Sequence, residues 1–292
     1  MTSSFFNATA RAKALIFVAD VSHNAVDIYP QAGTNQKMVG QITGLNNPTG
    51  LATDTERNVY IANDNTTQVL VYAPPYTGTP KLTLNDGGYY PYGVAVSSLG
   101  LVAVTNACNA PSCALGSSSV TFFAKNSSMP CATVADPTNF PYMWFGAFDD
   151  RGNLYIDGYN SSHNSIVGEI KGACNGKKIT LLTTTNTIGI ALGIKVDKTD
   201  RIAILDQGGP AIDTYTHPEK GSLGNPISTT PLTGSSDPVS FAFLASGRAL
   251  YVADGTDDVA NEYDYPAGGQ IKNTISVGGI SADTAATPPL VP

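Results

Sequence analysis

The sequence predicts an all-β fold: a six-bladed β-propeller with four antiparallel strands per blade, its ring closed by the C-terminal strand pairing into the N-terminal blade. Three observations carry this reading. A short apolar strand ending in Asp or Asn recurs six times, as Phe17-Val18-Ala19-Asp20, Tyr60-Ile61-Ala62-Asn63, Ala103-Val104-Thr105-Asn106, Leu154-Tyr155-Ile156-Asp157, Ala203-Ile204-Leu205-Asp206 and Tyr251-Val252-Ala253-Asp254. The copies recur every 43 to 51 residues, the length of one small sheet in a closed ring. Only 13% of the 292 residues are charged, whereas Gly 29 and Pro 19 supply turns, a balance that suits many short strands.

Each repeat divides into strands a to d from the axis outward, set by alternation and turn residues. Strand a is expected at Gly50-Leu51-Ala52-Thr53-Asp54, Gly93-Val94-Ala95-Val96-Ser97, Gly146-Ala147-Phe148-Asp149-Asp150, Gly193-Ile194-Lys195-Val196-Asp197, Ser240-Phe241-Ala242-Phe243-Leu244 and Gly279-Ile280-Ser281-Ala282-Asp283. A turn such as Asp150-Arg151-Gly152-Asn153 leads into the b strands. Strand c begins at Val26, Val69, Val120, Ile166, Ile212 and Val259, and the less regular strand d begins near Met38, Lys81, Ala132, Ile179, Ile227 and Ile271. The chain opens on a b strand and closes on an a strand. Residues 279–287 should therefore complete the blade formed by residues 14–43, removing an open edge. Hydrophobic content of 42% without a composition break gives a flexible segment 1–12 followed by one propeller domain, 13–292.

A net charge of −7 gives no attraction to nucleic acid or anionic lipid. No apolar run is long enough to span a membrane, and residues 1–12 lack the apolar core of a signal peptide. A soluble monomer is expected, with any export signal already removed. The even number and loop placement of the cysteines suggest two disulfides, Cys108 with Cys113 and Cys131 with Cys174, and a secreted, periplasmic or cell-surface protein. Four reduced thiols in a cytosolic protein are the alternative. Sequons at Asn7, Asn65, Asn126 and Asn160 fit an extracellular surface but are common by chance in such a chain.

The pattern Pro48-Thr49-Gly50-Leu51-Ala52-Thr53-Asp54, Arg57-Asn58-Val59-Tyr60-Ile61-Ala62-Asn63 and Gln68-Val69-Leu70-Val71-Tyr72 resembles the NHL-type repeat, in a register that recurs across nearly all of the chain. It is similar to the six-bladed propellers that include the SMP-30/gluconolactonase enzymes, paraoxonases and virginiamycin B lyase. That resemblance implies the fold strongly and the chemistry weakly. The metal-dependent members hold Asn, Asp or Glu just before the strand-a glycine; here those places read Thr49, Tyr92, Phe145, Leu192, Val239 and Gly278. A channel calcium ion is thus unmatched at its usual ligands. The lyases depend on His and Glu, whereas His23, His163 and His217 lie in three separate repeats.

The six rim residues could form a cation ring, but a ring so wide favours Asx turns capping each b–c connection. Aromatic residues dominate the mouth: Tyr89, Tyr90 and Tyr92 in one d–a connection, then Tyr142, Trp144 and Phe145 in the next. They offer stacking faces for a small molecule, carbohydrate or protein, or else fill the wedge between blades. Lys195 stands where other repeats show Ala52, Ala95, Phe148, Ala242 and Ser281, either to favour an anion or to pair with an Asp. Two functions follow: a secreted binding propeller using the aromatic mouth, or a hydrolase or lyase of small esters, lactones or glycosidic substrates. The second would draw on Asp20, Asp157, Asp206, Asp254, His163 and Lys195.

Overall fold

In the computed structural model, which describes residues 4–7, 10, 13–33, 36–109, 113, 116–278 and 280–287, six antiparallel sheets form a ring. Each inner strand packs against the next, and the sixth packs against the first. Blade one comprises Leu15–Asp20, Ala25–Pro30 and Gly40–Thr43, with Ile280–Ala286 as its inner strand. The inner strands of blades two to six are Pro48–Thr53, Tyr89–Val96, Tyr142–Phe148, Ala191–Val196 and Pro238–Phe243. Closure is as the sequence predicts, with Ile16 opposite Ala286 and Val18 opposite Thr284; Gly279, the expected start of that strand, lies outside the described residues.

The b strands sit inside their sheets and between neighbouring blades, so both faces are covered. Leu15–Asp20 and Val59–Asn63 are buried at every residue, which explains apolar runs rather than strict alternation. Outer edges are partly masked. Ser222–Gly224, from blade five, pairs in parallel with Thr180–Thr184 of blade four, and Gly269–Gln270 of blade six pairs likewise with Ser228–Thr233 of blade five. Phe5–Phe6 adds an antiparallel strand to Gly40–Thr43, Ser4 Oγ accepts a hydrogen bond from Thr43 N–H at 3.0 Å, and Ala10 is buried. Within the 1–12 segment, Phe5–Phe6 and Asn7 thus find backbone partners along the open edge of blade one. Both expected disulfides are present: Cys108–Cys113 staples a loop of blade three, and Cys131–Cys174 joins blades three and four.

Strand pairing corrects the repeat alignment in two blades. Ala52 faces Tyr60, Ala95 faces Ala103, Ala147 faces Tyr155, Lys195 faces Ala203, Ala242 faces Tyr251 and Ala285 faces Phe17. The counterparts of Lys195 are thus Ala147 and Ala285, not Phe148 and Ser281. By the same register Phe145, and not Gly146, occupies the place of Gly50, and Asp283 holds that place in blade one. The positions before it become Trp144 and Ala282 instead of Phe145 and Gly278. Such slips matter because one residue along a strand exchanges its two faces.

Candidate functional site

The rim residues are consumed by the ring itself. Asn63 Oδ1 accepts from Asn46 N–H at 2.7 Å; Asp206 accepts from Gly189 and Ile190 N–H, both at 3.0 Å, and from Gly208 N–H at 2.9 Å. Asp254 accepts from Ser236 N–H at 2.8 Å and Ser235 Oγ at 2.6 Å. These side chains mainly tie the preceding d–a connection to the blade, whereas the sequence suggested that they cap the following turn. Asp20 bonds forward, accepting from His23 N–H at 3.0 Å, and so does Asn106, whose Nδ2 donates to Ser119 Oγ at 3.0 Å and Thr121 Oγ1 at 2.9 Å. The capping role falls chiefly to aspartates of the a–b turns. Asp54 accepts from Asn58 N–H and Tyr60 O–H, and Asp149 accepts from Asn153 N–H and Tyr155 O–H.

Asp157 departs from the set for a geometric reason. Register places it where the other blades carry Ala62, Thr105, Leu205, Ala253 and Ala19, so it turns toward the interior between inner strands. It is fully buried and accepts from Phe145 N–H of its own blade at 2.7 Å and from Gly193 N–H of the next. Burial pushes its carboxyl up to about 7 against the pull of those amides and of Lys195. Thr105 does the neutral equivalent one blade earlier, accepting from Gly93 N–H at 3.1 Å and donating to Trp144 C=O.

Lys195 pairs with an Asp, one of the two roles weighed for it. Its Nζ lies 3.2 Å from Asp283 Oδ2, and Asp283 also accepts from Leu51 N–H at 3.0 Å, Thr284 N–H at 2.7 Å and Ser240 Oγ. One carboxylate thereby links blades one, two, five and six at the axis. On the a–b turn side of this junction lies a cavity of about 240 Å³, lined by the later residues of all six inner strands.

The predicted aromatic mouth separates into parts. Tyr92 meets Trp144 at 5.1 Å and Phe145 at 5.4 Å between ring centroids, and Trp144 meets Tyr159 at 6.0 Å. Phe145 is buried, so it packs the wedge; Tyr92, Trp144 and Tyr159 are half-buried at the d–a and b–c end of the channel. The Trp144 Nε1–H is buried without a hydrogen-bond partner. Tyr142 lies apart, stacked on the exposed His163 ring at 5.7 Å. Tyr89 and Tyr90 extend the inner strand of blade three opposite Asn109 and Cys108. Tyr159 was missed by sequence reading because it lies two residues beyond the assumed end of its strand.

The histidines remain in separate places. His23 Nδ1 lies 2.8 Å from Asp20 Oδ2, with the ring largely exposed, beside a cavity of about 290 Å³ also lined by Asp27, Tyr29 and Gln41. His163 reaches none of the rim carboxylates proposed for it among the described contacts. His217, weakest by sequence, is the most connected: Nε2 lies 2.6 Å from Asp200 Oδ2, while Nδ1 lies 3.2 Å from Tyr155 O–H and 3.5 Å from Asp149 Oδ2. Its partners come from two a–b turns and two blades, a proximity invisible in sequence.

Asp86 gives a test of buried charge. Both of its carboxyl oxygens and Asn106 Oδ1 are buried without a hydrogen-bond partner, and burial raises the Asp86 carboxyl from 3.8 to about 8 despite neighbouring Thr121 and Asn106. A proton on Asp86 converts one acceptor into a donor and relieves this. Because the folded carboxyl holds its proton more tightly than the unfolded one, stability falls as pH rises from about 4 to about 8. Asp86→Asn should raise the melting temperature by several degrees at pH 8.5 and leave it nearly unchanged at pH 3.5. An equal change at both values would contradict the assignment.

No protein-family model and no curated protein sequence matches the chain. Solved structures do match in fold. A nidogen/laminin complex contains a chain 16% identical, with 94% of this chain and 98% of that one covered at a TM-score of 0.71. Virginiamycin B lyase from Staphylococcus aureus is 13% identical, covering 94% and 88% at a TM-score of 0.59. A functionally unknown protein from Desulfotomaculum acetoxidans is 12% identical, covering 94% and 99% at a TM-score of 0.63. At these identities the likeness concerns the propeller alone.

Proposed function

We propose that this chain is a secreted binding propeller that receives a protein, carbohydrate or small-molecule partner on its d–a and b–c face, over Tyr92, Trp144 and Tyr159, with Tyr142 and His163 at the margin. The carrying observation is the half-buried aromatic cluster. Two of its members, Tyr92 and Trp144, stand in the places where metal-dependent propellers of this resemblance hold their ligands. An aromatic ring supplies apolar area at little entropic cost. Two disulfides suit an oxidising compartment, and one chain of similar fold comes from a nidogen/laminin complex. Among the described residues no helix is long and apolar enough to cross a membrane.

The immobilised protein is screened against extracellular-matrix proteins and glycans. Trp144→Ala and Tyr92→Ala should each weaken the selected partner by about thirtyfold, the loss typical of an aromatic hot spot, while circular dichroism shows a folded chain. Full affinity in both folded variants would remove this face from consideration.

A hydrolase or lyase remains the second reading, and its geometric basis is the Asp20–His23 pair, in which the carboxylate orients an exposed imidazole. Turnover of an ester, lactone or glycoside panel that disappears in His23→Ala would support it; no turnover, or turnover unchanged in that variant, would end it.

A further inference from the structure

We infer a second ligand site beyond the axial aromatic face: a groove at the b–c and d–a end of blade four that takes an uncharged, hydroxyl-rich ligand of about two sugar rings, a neutral disaccharide or the end of a neutral glycan. Tyr92, Trp144 and Tyr159 lie outside it.

The groove opens where two strands diverge. In the other five blades strand d pairs with strand c from the first or second residue of c, at Ala25, Gln68, Val120, Ala211 and Val259. In blade four the ladder stops at Val167, opposite Leu182, the third residue of strand c Ser165–Ile170. Strand d turns away there and sets Thr183 and Thr184 against Ser222 and Gly224 of blade five. Ser165 and Ile166 are left without a strand-d partner, and a groove of about 430 Å³ opens beside them. That volume falls within the ~300–1,000 Å³ of ordinary ligand clefts and equals about fourteen waters at liquid density.

The lining selects the chemistry. Among the described residues it holds no Asp, Glu, Lys or Arg, so a charged ligand would leave water there without a counter-charge. Asp213 and Asp206, outside the lining, already accept from Asn186 Nδ2 and from Gly189 and Ile190 N–H. The floor is apolar, with Val167, Leu182 and Ile188 buried. By contrast, the exposed Asn164 amide and Thr187 hydroxyl have no hydrogen-bond partner among the described residues. Such a mixture matches a sugar, whose ring carries both C–H faces and hydroxyls that donate and accept. The exposed His163 ring, stacked on Tyr142, borders the groove as a flat face for that ring. The walls are fixed in advance: Ser165 Oγ donates to Gly189 C=O at 3.1 Å and accepts from Ala191 N–H at 2.9 Å, and Asn186 Oδ1 accepts from Tyr215 O–H at 2.8 Å. Little ordering is therefore left for binding to impose. An extended peptide would need a longer free edge than two residues.

Saturation-transfer NMR and calorimetric titrations of the intact chain test this with cellobiose, maltose and N,N′-diacetylchitobiose, set against cellobiouronic acid and the deacetylated, cationic chitobiose. At least one neutral disaccharide should bind saturably, about tenfold or more tighter than either charged one. Asn164→Ala combined with Thr187→Val, both at exposed positions, should weaken it about tenfold, the worth of two neutral hydrogen bonds, in a chain shown by circular dichroism to be folded. Trp144 emission should stay unchanged at saturation, so this site and the axial face succeed or fail separately. No saturable binding of a neutral disaccharide, equal or tighter binding of a charged one, undiminished affinity in the folded double variant, or a Trp144 shift that follows the sugar titration would overturn the proposal.

Discussion

Removal of residues 278–292 is expected to abolish cooperative folding. The deleted strand Ile280–Ala286 pairs with Leu15–Asp20 and packs between the inner strands Pro48–Thr53 and Pro238–Phe243. It also carries Asp283, the junction to Leu51, Ser240 and Lys195. Just beyond it, Thr287 N–H donates to Leu15 C=O at 2.9 Å, and Gln31 Nε2 donates to Thr287 C=O at 2.8 Å. Its loss opens a buried strand edge and exposes the channel side of two neighbouring blades. The cost should approach the total stability of an ordinary domain, about 5–15 kcal/mol. Thermal circular dichroism should show no sigmoidal melt; an unchanged melting temperature would refute closure of the ring by this strand.

Breaking the axial junction at one atom group should cost nearly as much. Asp283→Ala leaves the half-buried Lys195 ammonium without its acceptor and removes the partner of Leu51 N–H and Ser240 O–H. An unpaired buried charge costs about 3–5 kcal/mol, which corresponds to a fall in melting temperature on the order of 10 °C for a chain of this size. Adding Lys195→Met should recover a substantial part, because the stranded charge is then gone. Equal melting temperatures in the single and double variants would show that Lys195 and Asp283 are not coupled.

The fold was legible because the six b strands are buried on both faces, and a repeated apolar run ending in Asp or Asn survives even where other positions drift. Closure and both disulfides followed from where the repeat starts and where the cysteines interrupt it. Register was harder. In blade four a glycine follows the axial position instead of filling it, and matching Gly146 to Gly50 moved Phe145, Phe148 and Asp157 by one residue, onto the wrong faces. In blade one Asp283 stands where the alignment sought Gly279. These misplacements hid the axial Asp157–Lys195–Asp283 arrangement. The aromatic cluster was partly legible, since Tyr92 and Trp144 do meet, whereas Tyr142 stacks on His163 and Tyr89 and Tyr90 pair opposite Asn109 and Cys108.

Trp144 is the single tryptophan of the chain, so its emission reports on the proposed mouth and on nowhere else. The decisive measurement is a titration of the folded wild-type protein with the partner selected by screening, following Trp144 emission and its quenching by acrylamide. A partner seated over Tyr92, Trp144 and Tyr159 should shift the emission saturably and protect the indole from acrylamide, with a midpoint equal to the independently measured affinity. Unaltered emission and quenching at saturating partner would place recognition elsewhere and contradict the account.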